Sequence, residues 1–214
     1  MNYITQIDTD ILLFFNGLHH DCMDNAMLVY TNRLTWIPFY MALVVMTFIR
    51  MRHNPRAILL FVLCMAAAIT VSDQLCGHII RNAIGRMRPS NPANPISVLL
   101  HIVNGYRSGS FGFPSCHAAN TMALASALHF VFRNKWLNAV MAFWVATNCY
   151  TRLYLGVHYP GDLLAGAAAG FLVSFLVFGL IPWRKYATPL SRQDLYPPVS
   201  VMVLTMAVAP AICS

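Results

Sequence analysis

The chain has 214 residues, 58% of them hydrophobic and only 10% charged, with a net charge of +7 and no glutamate. A soluble domain usually carries about 25% charged residues, so this composition excludes an ordinary soluble protein and indicates a membrane body. The positive balance does not indicate a nucleic-acid partner, because the basic residues stand in ones, twos and threes at the ends of apolar segments rather than along one face.

The apolar runs are long and continuous, not alternating, which predicts helices rather than barrel strands. Residues 4–20 are too short and too polar to span, so the N-terminal region (1–24) reads as an amphipathic helix at the membrane surface. A first span is expected over 27–51, with a kink at Pro38. A basic turn (Arg50, Arg52, His53, Arg56) leads into a second span over 56–79. A polar loop rich in Pro, Asn, Ser and Gly follows over 81–114 and carries Arg81 and Arg88. Spans three, four and five are expected over 115–132, 136–153 and 160–182. The tail 197–213 reads as the last span, although it falls short of the ~20 residues a full crossing needs. The whole is one all-α membrane domain, 1–214, of about six spans.

Several expectations attach to single features. Asp8, Asp10 and the lack of a basic start argue against a cleavable signal peptide. The six cysteines form no Cys-x-x-Cys pair, and several sit in apolar runs as small packing residues. Gly166 and Gly170, among Ala165, Ala167, Ala168 and Ala169, form a face for close helix packing. Asp73, an acid inside the second span, calls for a partner or a function, with Arg81 one candidate partner. His78, His101 and Arg107 are candidates to line a headgroup pocket, or to be solvated loop residues.

Charge then orients the chain. Alternating turns place eight basic residues on one face (Arg50, Arg52, Arg56, Arg133, Lys135, Arg184, Lys185, Arg192) and six on the other (Arg33, Arg81, Arg86, Arg88, Arg107, Arg152). Three of those six, Arg81, Arg88 and Arg152, belong to the polar blocks considered next. The positive-inside rule puts the face with eight in the cytoplasm and the polar blocks opposite.

Three short blocks carry the chemistry: Arg81-(six residues)-Arg88-Pro89, Pro114-Ser115-Cys116-His117, and Thr151-Arg152-(five residues)-His158-(three residues)-Asp162. Three guanidinium forks match the geometry and charge of a phosphate. His158 and Asp162, four apart, share one helix face, so the carboxylate can hold imidazole Nδ1–H and leave Nε2 to attack phosphorus. Ser115 suits a helix N-cap whose first-turn N–H groups face an anion. His117, just inside the helix start, is placed to protonate the leaving oxygen and later activate water. With three arginines supplying positive charge and Asp162 the lone acid of the blocks, neither metal nor cofactor is expected.

These blocks resemble the type 2 phosphatidic acid phosphatase family, whose pattern runs Lys-x6-Arg-Pro, Pro-Ser-Gly-His and Ser-Arg-x5-His-x3-Asp. Order and internal spacing agree, with Arg81 for Lys, Cys116 for Gly and Thr151 for Ser. Cys116 serves if only its backbone N–H is used, as at a helix start of ordinary negative φ; a catalytic thiol is disfavoured beside a His nucleophile. The resemblance implies the vanadium haloperoxidase-like helical core. It also implies a membrane phosphatase acting on a lipid phosphate or diphosphate through a phosphohistidine at His158, with Arg81, Arg88, Ser115, Cys116 and Arg152 around the phosphate and Thr151 in support. Asp73, outside the family's pattern, is a candidate supporting residue on its position in the span alone. Lipid A phosphates, undecaprenyl diphosphate and glycerophospholipid phosphates all remain open as substrates; in a bacterium the enzyme would sit in the inner membrane facing outward. A vanadate-dependent haloperoxidase and an inactive lipid-phosphate carrier are the rival readings.

Overall fold

The computed structural model describes residues 3–212, and among them every named element is helical. The α-helices are α1 (Tyr3–Gly17), α2 (Asp21–Thr31), α3 (Ile37–Met51), α4 (Pro55–Gln74), α5 (Arg81–Ile84), α6 (Cys116–Phe132), α7 (Lys135–Tyr154), α8 (Pro160–Phe178) and α9 (Tyr196–Ile212). Among the described residues, three stretches are long and apolar enough to cross a membrane: Arg33–Met51, Pro55–Ile84 and Pro160–Phe178. Helices α6 and α9 have 17 residues each and α7 has 20, so the expected count of six spans rests on α6, α7 and α9. Tail residue Cys213 lies outside the described residues, as do Met1 and Asn2.

Two boundaries differ from expectation. The expected first span is broken at Asn32, not kinked at Pro38. The Asn32 side chain accepts from Leu34 N–H and caps a 3₁₀ turn, Arg33–Trp36, while Pro38 sits in the first turn of α3, where its missing N–H is not needed. The second span runs on past residue 79. A π-helical turn, Leu75–Ile80, links α4 to α5, and Gly85 in the left-handed region (φ +61°) ends the run. Arg81 is therefore held on a helix, not carried by the loop.

The closest helix pairing is α6 on α8. A Cβ at Gly166 would stand 2.3 Å from Ser115 O, and one at Gly170 would stand 2.1 Å from Ala119 O, so the small-residue face does bring these backbones together. Aromatic residues fill another part of the core, where Trp36 and Phe39 pack on Trp144. The loop after Gly85 is pinned at its ends by Arg88 N–H to Ser110 O (3.0 Å) and Gly112 N–H to Arg86 O (2.8 Å).

Helix α1 has two working faces. Asp8, Leu12 and Asn16, spaced four apart, point inward: Leu12 is fully buried, and Asn16 Nδ2 donates to Tyr154 O (2.7 Å) and His101 O (3.0 Å). Ile7, Ile11, Phe14 and Leu18 form an exposed apolar stripe. α1 packs on α7 and α8.

Candidate active site

The three blocks meet at one end of the helices, around a cavity of about 570 Å³. Its wall includes Arg81, Arg88, Cys116, His117, Arg152 and His158. Each arrives by a local cause. Arg81 rides the π-extended end of α4 and α5. Arg88 is fixed by the pinned loop, with Nε donating to Phe111 O (3.0 Å). His117 lies in the first turn of α6, and Arg152 in the last turn of α7. His158 sits in the tight connection before Pro160 opens α8.

The guanidinium groups are held by side-chain and backbone acceptors. Arg81 Nη2 donates to Pro114 O (3.0 Å) and to Cys116 Sγ (3.2 Å). Arg152 Nη1 bonds Thr31 Oγ1 and donates to Tyr106 OH (3.2 Å). The Nε atoms of Arg81 and Arg152 are buried without a partner. Burial first, then Arg152 and Arg81, pulls the Arg88 pKa down to about 10. Crowded cations with spare donors describe a site built for an oxyanion.

His158 is 2% exposed and Asp162 fully buried. Imidazole Nδ1 lies 3.2 Å from Asp162 Oδ2, which also accepts from Tyr159 N–H (3.1 Å). Arg88 Nη1 lies 2.7 Å from His158 Nε2. With Nδ1–H donated to the carboxylate, Nε2 is the lone-pair nitrogen and faces the cavity cations. Burial, followed by Arg88, Arg152 and Arg81, pushes the His158 pKa well below its ordinary range, so the ring is neutral. Gly112 backs this pair: a Cβ there would stand 2.9 Å from Asp162 Oδ2 and 3.2 Å from Arg88 Cγ.

Other expected residues fall in varied places. Ser115 caps α6 through Oγ to Ala118 N–H (3.4 Å) and is buried away from the cavity wall. Cys116 is the first residue of α6, lines the cavity, and faces Gly77, where a Cβ would come 3.2 Å from its Sγ. The π-helical turn thus offers a glycine opposite the position where the family pattern has one. Thr151 does not reach the cavity; its hydroxyl donates to Asn148 O (2.8 Å) and Thr31 Oγ1 (3.2 Å). Asp73 lines the cavity and accepts from Asn120 Nδ2 (3.0 Å), not from Arg81. His78 lines it too. His101 instead pairs with Asp24 (2.7 Å), and Arg107 bonds Ser90 O.

Three residues had no place in the sequence reading of the site. Thr31, at the end of α2, accepts from Arg152 on its hydroxyl and from His117 Nε2–H on its carbonyl (3.0 Å). Tyr106 lines the cavity beneath Arg152. Arg86 donates to Asp162 Oδ1 (2.9 Å) and to Asp8 Oδ2 (2.5 Å).

A second, apolar cleft of about 360 Å³ opens between α3, α4, α6 and α7, lined by residues such as Leu43, Phe61, Met65 and Leu128. Arg33 and His117 belong to both walls.

The sequence profile of the PAP2 superfamily matches residues 57–186, which includes all three blocks. The chain belongs to the PAP2 superfamily. Among PAP2 relatives, it is 45% identical to the lipid A 4'-phosphatase of Bacteroides thetaiotaomicron over 178 residues, covering 83% of this chain and 78% of that one. It is 27% identical to the lipid A 4'-phosphatase of Porphyromonas gingivalis over 212 residues, covering 97% and 89%. The transmembrane PAP2-type phosphatidylglycerolphosphate phosphatase of Bacillus subtilis shares the fold, with a TM-score of 0.63 at 23% identity over 86% of this chain and 90% of that one. This PAP2 chain is a membrane lipid phosphatase.

Proposed function

We propose that this phosphatase removes the 4'-phosphate of lipid A through a phosphohistidine at His158, on the face of the inner membrane away from the cytoplasm. The observation that carries the chemistry is the His158 ring, held between Asp162 at Nδ1 and Arg88 at Nε2 inside an arginine-walled cavity. The likeness to two lipid A 4'-phosphatases supports the choice of lipid. The bias of basic residues, eight on the opposite turns against three beside the motif arginines Arg81, Arg88 and Arg152, supports the orientation.

The substrate phosphate enters among Arg81, Arg88 and Arg152, and Arg88 exchanges His158 Nε2 for a phosphoryl oxygen. Nε2 attacks phosphorus, the P–O bond to the sugar breaks, and His117 gives its proton to the leaving oxygen. His117 acts as the imidazolium, favoured by the bound phosphate: Nε2–H stays on the Thr31 carbonyl, Nδ1–H goes to the leaving oxygen, and Nδ1 recovers a proton from the attacking water. Water, deprotonated by His117, then attacks the phosphohistidine; the N–P bond breaks, phosphate leaves, and both rings return to their starting state. The charge developing on the phosphoryl oxygens meets preset guanidinium donors. The apolar cleft that shares Arg33 and His117 with the cavity lies where an acyl chain of the bound lipid would rest.

The test is phosphate release by purified protein from bisphosphorylated lipid A, with mass spectrometry locating the site cleaved. Loss of the 4'-phosphate alone, abolished in His158→Ala, is the expected result. Exclusive cleavage of the 1-phosphate or of polyprenyl diphosphate would overturn the substrate, and undiminished release by His158→Ala would overturn the nucleophile.

A further inference from the structure

We infer that α1 is part of the catalytic apparatus, with Asp8 and Arg86 acting as positioning residues for the Asp162–His158 pair. The inference rests on the reading of His158 as nucleophile and adds two residues, Asp8 from outside the three motif blocks and Arg86 from the six-residue spacer of the first.

Asp162 has two carboxylate oxygens with different duties. Oδ2 takes His158 Nδ1 and Tyr159 N–H, while Oδ1 takes Arg86 Nη1 at 2.9 Å. The other arm of the same guanidinium, Nη2, reaches Asp8 Oδ2 at 2.5 Å. Asp8 Oδ1 in turn accepts from Gly161 N–H at 2.7 Å, one residue before Asp162. A closed ring results: Asp8 grips the backbone at the start of α8 and, through Arg86, the side chain one step on. The Arg86 guanidinium also lies 4.0 Å over the ring of Tyr159, which fixes its plane. A Cβ on Gly161 would stand 2.9 Å from Asp8 Oδ2, so the closeness of α1 depends on glycine there.

Lysine in place of Arg86 would offer a point donor where a fork spans two carboxylates. Without Arg86, Oδ1 loses its partner and Asp162 keeps only its Oδ2 bonds to Tyr159 N–H and His158 Nδ1, so the orientation of the imidazole is less tightly set. Misplacement of a reacting group by about 1 Å costs on the order of 100-fold in rate. The pair is faced by Arg86 and Arg88 from the loop, Asp8 from α1, Arg81 from α5, His117 from α6 and Arg152 from α7. Removing Arg86 subtracts one positive charge from that set, which makes protonation of the pair easier.

The experiment compares Arg86→Ala, Arg86→Lys, Asp8→Asn and Gly161→Ala with the wild type and His158→Ala, on lipid A and on a soluble aryl phosphate, across pH. We expect Arg86→Ala and Asp8→Asn to lower kcat about 10- to 100-fold with KM within about twofold. The acidic limb should move to higher pH in Arg86→Ala and stay in place in Arg86→Lys, which recovers part of the rate. A general loss of folded protein would lower the rate without moving the limb. Gly161→Ala, a change that favours helix locally, should reproduce the kcat loss by displacing Asp8. Wild-type kcat and an unmoved limb in Arg86→Ala, or wild-type kcat in Asp8→Asn, would overturn the inference while leaving His158→Ala inactive. Phosphate release by His158→Ala at the wild-type rate would instead bring down both readings.

Discussion

Arg88 Nη1 sits 2.7 Å from His158 Nε2, on the nitrogen proposed to attack phosphorus. The clamp and the nucleophile hold each other. In the proposed reaction a bound phosphoryl group separates them by giving Arg88 an oxygen in exchange.

This contact has a pH consequence. A histidine has an ordinary pKa near 6.5, and burial with three flanking guanidiniums sets His158 well below that in the folded protein. The acidic limb of kcat/KM assigned to the nucleophile should therefore lie clearly below pH 6.5. Stability follows the same sign: the group's contribution is intact above about pH 6.5, where the unfolded chain is also neutral, and declines as pH falls toward the folded pKa. Rate profiles and thermal melts from pH 4 to 8 check both. A limb at or above pH 6.5 would contradict the geometry.

Asp162→Asn should leave KM nearly unchanged and lower kcat by ~10³-fold, because an amide that donates toward Nδ1 favours the wrong tautomer. Rapid-quench trapping of the acid-labile phosphoenzyme should show slower formation and not slower breakdown.

The Gly77–Cys116 contact predicts a coupled pair. Gly77→Ala should lower activity about 3- to 10-fold by pressing Cys116 against Arg81, an overpacking cost of roughly 1–3 kcal/mol. Cys116→Gly should fall within about threefold of wild type, and the double variant should recover most of the Gly77→Ala loss. Additive losses in phosphate release would mean the two positions do not communicate.

Gly112→Ala should remove nearly all activity, since its Cβ would stand within 3.2 Å of both the Asp162 carboxylate and the Arg88 stem. Gly17→Ala, with open space around it and no place on the cavity wall, is the control and should stay near the wild-type rate. Equal rates for the two variants would show that the loop yields without disturbing the pair.

Much of the site was legible because each motif block is a short-range spacing. Four residues between His158 and Asp162 put both on one helix face, and a serine before a helical run marks a cap. The small face around Gly166 and Gly170 was legible for the same reason. Arg86, Asp8 and Thr31 were not, since each is a single residue whose meaning comes from a partner far away in the chain. Asp8 counted only against a signal peptide, and Arg86 only as a charge on the active face. The extent of α4 was missed because polar residues after residue 79 resemble a loop, and because π-helical turns leave no periodic trace. The expected kink at Pro38 gave way to a side-chain cap at Asn32, a local competition that composition does not reveal.

Thr31 links the proposed proton donor to one arm of the proposed phosphate grip: its carbonyl takes His117 and its hydroxyl takes Arg152. Both bonds hang from the last residue of α2, immediately before the break between helices. Leaving-group departure and oxyanion binding thus share one hinge. A disturbance there, whether by substitution or by a lipid pushing past Arg33, reaches the two halves of the reaction together, and kinetics will not separate them.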